Sequence, residues 1–231
     1  MLDLSHTISH GLITYKGLPA PIICDFLSRE QSRAHYAPGT QFQIGKIEMV
    51  ANTGTYLDSP FHRYESGKDL SELELTSLAN LDGIVVIAKG QEQGAKGGER
   101  SAKSEGQRKI DKELFEEIDV KNRAVLIHTG WSQHWRTDKY FEGTHPFLTK
   151  GAAQFLADEG AALVGIDSYN IDDTADLTRP AHTILLGKEI PIVEHMCNLG
   201  ALPSTDFKFF AVPVKVKGMG TFPVRAFASI G

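Results

Sequence analysis

Three short runs of branched aliphatic residues, spaced by helix-length stretches, constrain this chain more than any other feature. Ile84-Val85-Val86-Ile87-Ala88, Ala124-Val125-Leu126-Ile127 and Ala161 to Ile166 each read as a strand buried on both faces. Asp111 caps an expected helix through Ile118. Leu148 to Glu159 reads as a second helix, stopped at Gly160, where a left-handed residue costs glycine little. Strand, helix, strand, helix, strand is the signature of a parallel sheet with crossover helices. Gln41 to Glu48 and Phe207 to Lys217 alternate apolar and polar residues instead, as antiparallel strands with one wetter face do. The expected architecture is therefore α/β, with a parallel sheet, an antiparallel sheet and helices covering the former.

The 231 residues suffice for one large domain, and no internal repeat divides them. The expected organisation is one domain over residues 1–231 with a loop at about 90–108, where Gly, Gln, Lys and Glu dominate and little can be buried. A net charge of −5 without a dense Lys/Arg cluster argues against a nucleic-acid partner. No apolar run reaches the roughly 18 to 20 residues of a membrane span, and the N-terminus lacks a secretory signal. Cys24 and Cys197 are too few for a disulfide framework, so a reducing cytoplasm is the expected location.

The densest polar cluster in an apolar setting is Asn52-Thr53-Gly54-Thr55-Tyr56-Leu57-Asp58-Ser59-Pro60-Phe61-His62. If extended, it aligns Asn52, Tyr56 and Asp58 on one face, with Gly54 leaving a gap and His62 coming off the turn at Pro60. Oxygen donors, a carboxylate and an imidazole in that order suit an ion or substrate site. A plain strand end with a bonded Asp fits the same residues. Two further groups add weight. Arg179-Pro180-Ala181-His182 leads to Glu194 after Pro191-Ile192-Val193, where an unpaired carboxylate in a buried strand is costly. Asp167, Asn170 and Asp172 follow the third strand, at the end where open α/β sheets place ligands.

With those residues in view, the chain resembles the cyclase family of kynurenine formamidase-like and isatin hydrolase-like metal-dependent hydrolases. That family's signature runs His-x-Gly-Thr-His-x-Asp-x-Pro-x-His, and Gly54, Thr55, Asp58, Pro60 and His62 stand in register with it. Asp3-Leu4-Ser5-His6, Thr129-Gly130-Trp131, Gly165-Ile166-Asp167-Ser168, Asn198-Leu199 and Pro223-Val224-Arg225-Ala226 extend the likeness over the whole chain.

The resemblance implies a swivelling β/β/α fold, homodimers or homotetramers, and hydrolysis of a small amide, lactam or lactone at a zinc or manganese site. Carried over by position, Asp58, His182 and Glu194 are the implied metal ligands, and His62 transfers protons. Asn52 and Tyr56 stand where the signature has histidine. A neutral amide and a phenol of ordinary pKa near 10 are weak substitutes, so one divalent ion is expected rather than two. Tyr56 then becomes a candidate hydrogen-bond donor to a developing oxyanion. Trp131, Phe61 and Tyr15 are candidate walls for a small-molecule substrate, although a core role suits each equally. The remaining histidines, His195 among them, show no ligand spacing. Two alternatives stay open: a retired member that binds a small ligand or assembles, and a metal-free hydrolase using His62 and Tyr56.

Overall fold

The computed structural model describes residues 1–88 and 108–231. The loop expected at 90–108 falls outside the described residues except for Arg108.

The strands run in chain order as β1 (Leu2–Asp3), β2 (Ile22–Leu27), β3 (Ile44–Glu48), β4 (Tyr56–Asp58), β5 (Ala79–Ile87), β6 (Lys109–Ile110), β7 (Ala124–His128), β8 (Phe147–Leu148), β9 (Leu163–Ile166), β10 (Ile192–Glu194), β11 (Phe207–Phe210), β12 (Thr221–Pro223) and β13 (Phe227–Ile230). Nine of them form one mixed sheet in the order β1-β13-β11-β5-β7-β9-β10-β4-β12. Its centre, β5-β7-β9-β10, is parallel. Both flanks are antiparallel. The parallel and antiparallel parts expected from the sequence are thus continuous through shared hydrogen bonds rather than lying as separate sheets.

Alternation along the central strands divides the core. Val125, Ile127, Val164 and Ile166 point to one face, where helices α2 (Lys150–Asp158) and α3 (Pro180–Gly187) pack with Leu156 and Leu185. Ala124, Leu126, Leu163 and Leu57 point to the other, against Leu4, Met196 and Phe209. Each fully buried Leu, Ile or Val contributes about 2 kcal/mol by leaving water, which is why the central strands read as unbroken apolar runs.

Three expected elements are shorter than the sequence suggests. The Asp111–Ile118 segment is only a 3₁₀ turn at Lys112–Leu114, with Asp111 accepting from the Lys112 N–H. Phe115 N–H donates to the Lys112 carbonyl and Ile118 N–H to that of Phe115, both across three residues, and this tighter winding carries Phe115 into the core. Strand pairing in the two flanking segments begins only at Ile44 and stops at Phe210. The helix over 150–158 ends as expected at Gly160, whose φ is +76°.

The β2–β3 pair forms a separate two-stranded ribbon, followed after β2 by the one-turn helix α1 (Arg29–Ser32). All five residues of β3 are exposed, and Phe26, Ile44 and Ile47 present large apolar side chains to solvent. Among the described residues no helix is long and apolar enough to cross a membrane.

Candidate functional site

Register brings the polar residues of three strands together. In β4, Tyr56 stands opposite Glu194 of β10, and Asp58 stands opposite Thr221 of β12. Tyr56 and Asp58 are two apart and share a face, while Leu57 between them points into the core. Strand geometry starts only at Tyr56. Asn52 to Thr55 form bends, with Gly54 at φ +68°, so Asn52 reaches the site from a loop rather than along an extended strand.

After β4 the chain turns through a 3₁₀ helix at Pro60–His62 and returns the His62 ring to Asp58. Thr221 Oγ1 lies between them. It donates to Asp58 Oδ1 in a short hydrogen bond and sits 2.8 Å from His62 Nδ1. A hydroxyl has one proton. With that proton on Asp58, Thr221 accepts from His62 Nδ1–H, and the lone pair of His62 stays on Nε2. Nothing in the sequence marked Thr221, which lies 159 residues from His62.

His182 is fixed from the opposite side. The Asp172 carboxylate accepts from the Ala181 and His182 N–H groups at the start of α3, at 2.6 and 3.1 Å, capping the helix. The same carboxylate meets His182 Nδ1 at 2.6 Å and directs Nε2 towards Asp58 Oδ2 at 3.7 Å and Glu194 Oε1 at 3.9 Å. Burial works against charge on this ring, yet its bond to Asp172 and the nearby Asp58 and Glu194 carboxylates outweigh it and raise its pKa to about 10. Glu194 is fully buried, and burial pushes its pKa up. Its Oε2 accepts from Tyr56 at 2.6 Å and its Oε1 from the Ile171 N–H at 2.6 Å.

The Tyr56 hydroxyl also contacts Tyr15 at 2.8 Å, and Tyr15 in turn meets Asn170 and His195, each at 3.1 Å. His195 Nδ1 pairs with Tyr140 at 2.8 Å. Burial and the Glu194 charge raise the pKa of Tyr56 well above 10, so the phenol stays protonated and its proton is committed to Glu194. A phenol so engaged holds a carboxylate rather than an oxyanion, which replaces the oxyanion role read from the sequence. His195, assigned no chemistry from the sequence, belongs to this buried network.

A cavity of about 260 Å³ opens over these groups, lined by Tyr15, Leu18, Asn52, Tyr56, His62, Arg63, Asn170, Arg179, His182 and Glu194. Of the expected walls, Tyr15 lines it. Phe61 does not, and Trp131 lies apart with its indole Nε1–H donating to the Tyr140 carbonyl at 3.4 Å. Asp58 lies fully buried just behind His182.

The donor set fits a single divalent cation. Asp58 Oδ2 is buried and has no hydrogen-bond partner among the described residues, an arrangement that costs stability unless a positive charge offsets it. It faces an imidazole whose far nitrogen is held by a carboxylate, the usual support of a metal-binding histidine. Donor atoms of Asp58, His62 and His182 lie within 4.8 Å of one another, and Glu194 Oε1, 3.9 Å from His182 Nε2, is the further carboxylate that lines the cavity, which leaves His62 free of the ion. Without an ion, the proton on His182 supplies the balancing charge.

A neighbouring histidine contributes to the acid limit of the fold, as do the half-buried His6 and the buried His195, whose pKa values burial also lowers. His145 is fully buried, with Nε2 at 3.0 Å from the Asp172 carbonyl, and burial lowers its pKa to about 4. The unfolded chain takes up this proton near pH 6.5 while the folded chain refuses it until about pH 4. Stability therefore falls as pH drops through that window, by about 3 kcal/mol from this residue. Urea unfolding at pH 7 and pH 4.5 checks this. His145→Gln is expected to reduce the difference, and an unchanged difference would refute the assignment.

The family model described as "Putative cyclase" matches residues 2–173. Kynurenine formamidase of Bacillus anthracis is 25% identical over 226 residues, covering 97% of this chain and 95% of that protein. Isatin hydrolase A from Labrenzia aggregata, solved with benzyl benzoate bound, superimposes with a TM-score of 0.77 at 20% identity, covering 99% of this chain and 93% of that one. A structure described as a potential metal-dependent hydrolase with cyclase activity gives 0.73 at 23% identity, covering 97% and 94%. The two structures share the fold from end to end, and the family model spans well over half of the sequence: this chain belongs to the cyclase family.

Proposed function

We propose that this chain hydrolyses a small non-peptide amide, an aryl formamide or lactam, or a related lactone, with one divalent cation held by Asp58, His182 and Glu194 and with Asn52 beside it. The buried Asp58 Oδ2 that lacks a hydrogen bond and faces His182 Nε2 is the observation that carries this reading. Names of the relatives support the reaction class: kynurenine formamidase and isatin hydrolase. When bound, a zinc or manganese ion supplies Lewis acidity towards a carbonyl and towards water.

The chain's own residues supply the remainder. Thr221 fixes the His62 tautomer, so Nε2 takes a proton from the attacking water and returns it to the leaving nitrogen as the C–N bond breaks. Tyr56 and the Ile171 N–H hold the Glu194 carboxylate in place. Leu18 and the phenol rings exclude water around the substrate. The swivelling domain arrangement, cytoplasmic location and assembly into two or four copies implied by the resemblance belong to the same proposal, and the exposed apolar β2–β3 ribbon supports assembly.

The direct test is formate release from an aryl formamide and ring opening of a lactam, before and after dialysis against a chelator. Turnover lost on dialysis and restored by zinc or manganese is expected. Turnover that survives chelation would replace this mechanism with metal-free chemistry at His62. The tautomer argument has its own test: Thr221→Val is expected to lower kcat/KM about 10- to 100-fold, while Thr221→Ser keeps the hydroxyl and most of the activity. Equal rates in the two variants would remove Thr221 from the proton path.

A further inference from the structure

Two arginines, Arg63 and Arg179, line the cavity. Arg63 directly follows His62, and its Nε–H donates to Thr183 Oγ1 at 3.3 Å. Arg179 starts α3 in a left-handed conformation, with φ +48° and ψ 61°, and its Nη1 donates to the Asp173 backbone carbonyl at 3.0 Å. Thr183 ties the two together, since its N–H donates to the Arg179 carbonyl at 2.9 Å. Among the described residues neither guanidinium forms a salt bridge. The nearby Asp173 carboxylate pairs with Arg108 at 3.4 Å instead.

Glu194, which lines the cavity, and Asp172, behind His182, are already engaged. Glu194 is held by Tyr56 and the Ile171 N–H, and Asp172 by His182 and the first turn of α3. Each arginine carries five N–H donors in a planar fork and spends one of them here. A left-handed arginine is also an unfavourable choice for a turn that asparagine or glycine would adopt more readily, so its guanidinium is what recommends it.

We infer that the substrate carries a carboxylate, and that Arg63 and Arg179 receive it while the scissile bond lies towards His62 and His182. The inference rests on the hydrolase reading for the word substrate, but the anion preference itself does not. A planar carboxylate matches the guanidinium fork in two parallel hydrogen bonds. A cavity of about 260 Å³ limits the remainder of the molecule to about one ring.

Binding and turnover separate the two claims. Calorimetric titration with benzoate and with benzamide, which share size and ring, reads the anion preference without any reaction. Benzoate is expected to bind at least about tenfold tighter. Because benzoate also ligates a bound cation, the decisive comparison is with Arg179→Gln and with Arg63→Gln/Arg179→Gln, where the ratio is expected to collapse towards one. In turnover, 3- and 4-formamidobenzoate are expected to show lower KM than formanilide, and the arginine variants to raise KM for the charged pair far more than they lower kcat. Equal binding of benzoate and benzamide by the unaltered protein, or a preference that survives the double substitution, overturns the inference. A preference that depends on the arginines in a protein that cleaves no formamide, lactam or lactone sustains it and removes the hydrolase reading instead.

Discussion

Replacing Asp58 by alanine lowers kcat/KM for amide hydrolysis about a thousandfold or more, and the chain still folds. Both halves of that result follow from where the carboxylate sits. Asp58 is fully buried between Thr221 and His182, and its Oδ1 receives the proton that makes Thr221 an acceptor for His62. Its Oδ2 is the unpartnered oxygen facing His182 Nε2. Under the proposed mechanism alanine removes an ion ligand and the anchor of the imidazole assigned to proton transfer together, and losses at residues acting as one unit are large. Stability falls by about 1 to 3 kcal/mol, because Thr221 Oγ1 loses its buried acceptor, while Oδ2 holds no hydrogen bond to lose. Steady-state kinetics with circular dichroism on the same preparation check the pair. Activity within tenfold of the unaltered protein would refute the role given to Asp58.

A second large effect comes from a residue with no side chain. Alanine at Gly220 would put its Cβ 2.3 Å from the His62 backbone N and 2.5 Å from its Cα, with the Phe61 carbonyl carbon at 2.9 Å. These are main-chain atoms in a turn, and no rotamer change relieves the contact. Gly220 also accepts from the Ser59 N–H at 2.7 Å, so the clash pries β12 from the turn that carries His62. Overpacking of this kind costs about 2 to 3 kcal/mol, or roughly 4 to 12 °C in Tm for a chain of this length. Moving His62 by about 1 Å is expected to reduce kcat about a hundredfold beyond the stability loss. Gly45→Ala, whose added Cβ meets nothing within 4 Å, serves as the control. A Gly220→Ala protein as stable and active as that control would show that β12 tolerates displacement.

How far the sequence reveals this arrangement depends on the range of the forces involved. Burial on both faces writes itself into consecutive residues, so Ile84 to Val86, Ala124 to Ile127 and Leu163 to Ile166 announce a parallel sheet centre, whereas Ile87 at the end of the first run is exposed. Asp58 and His62 are four residues apart and are legible as a pair for the same reason. The Asp111–Ile118 segment fails because polar residues around a single core anchor, Phe115, satisfy a 3₁₀ turn as well as a helix. Asn52 reads as part of a strand that begins only at Tyr56, because a positive φ at Gly54 cannot be told from a strand glycine in one sequence. Thr221 enters the site through strand register, 159 residues from His62, and the role of His195 rests on a bond to Tyr15 across 180 residues. Arg63 and Arg179 sit near His62 and His182 in sequence, but only Thr183 brings them to one side of the cavity. An ordinary threonine or arginine carries no local mark of such a role. Tyr56 shows the reverse case: its place in the signature was evident, but only the 2.6 Å contact with Glu194 shows what its proton does.

The most direct test of the account is the metal content of untagged protein purified without chelator, measured by plasma mass spectrometry beside an Asp58→Ala control. The account predicts about one zinc or manganese ion per chain, absent from the control. No metal after incubation with both ions, or equal metal in the control, would contradict a cation held at Asp58.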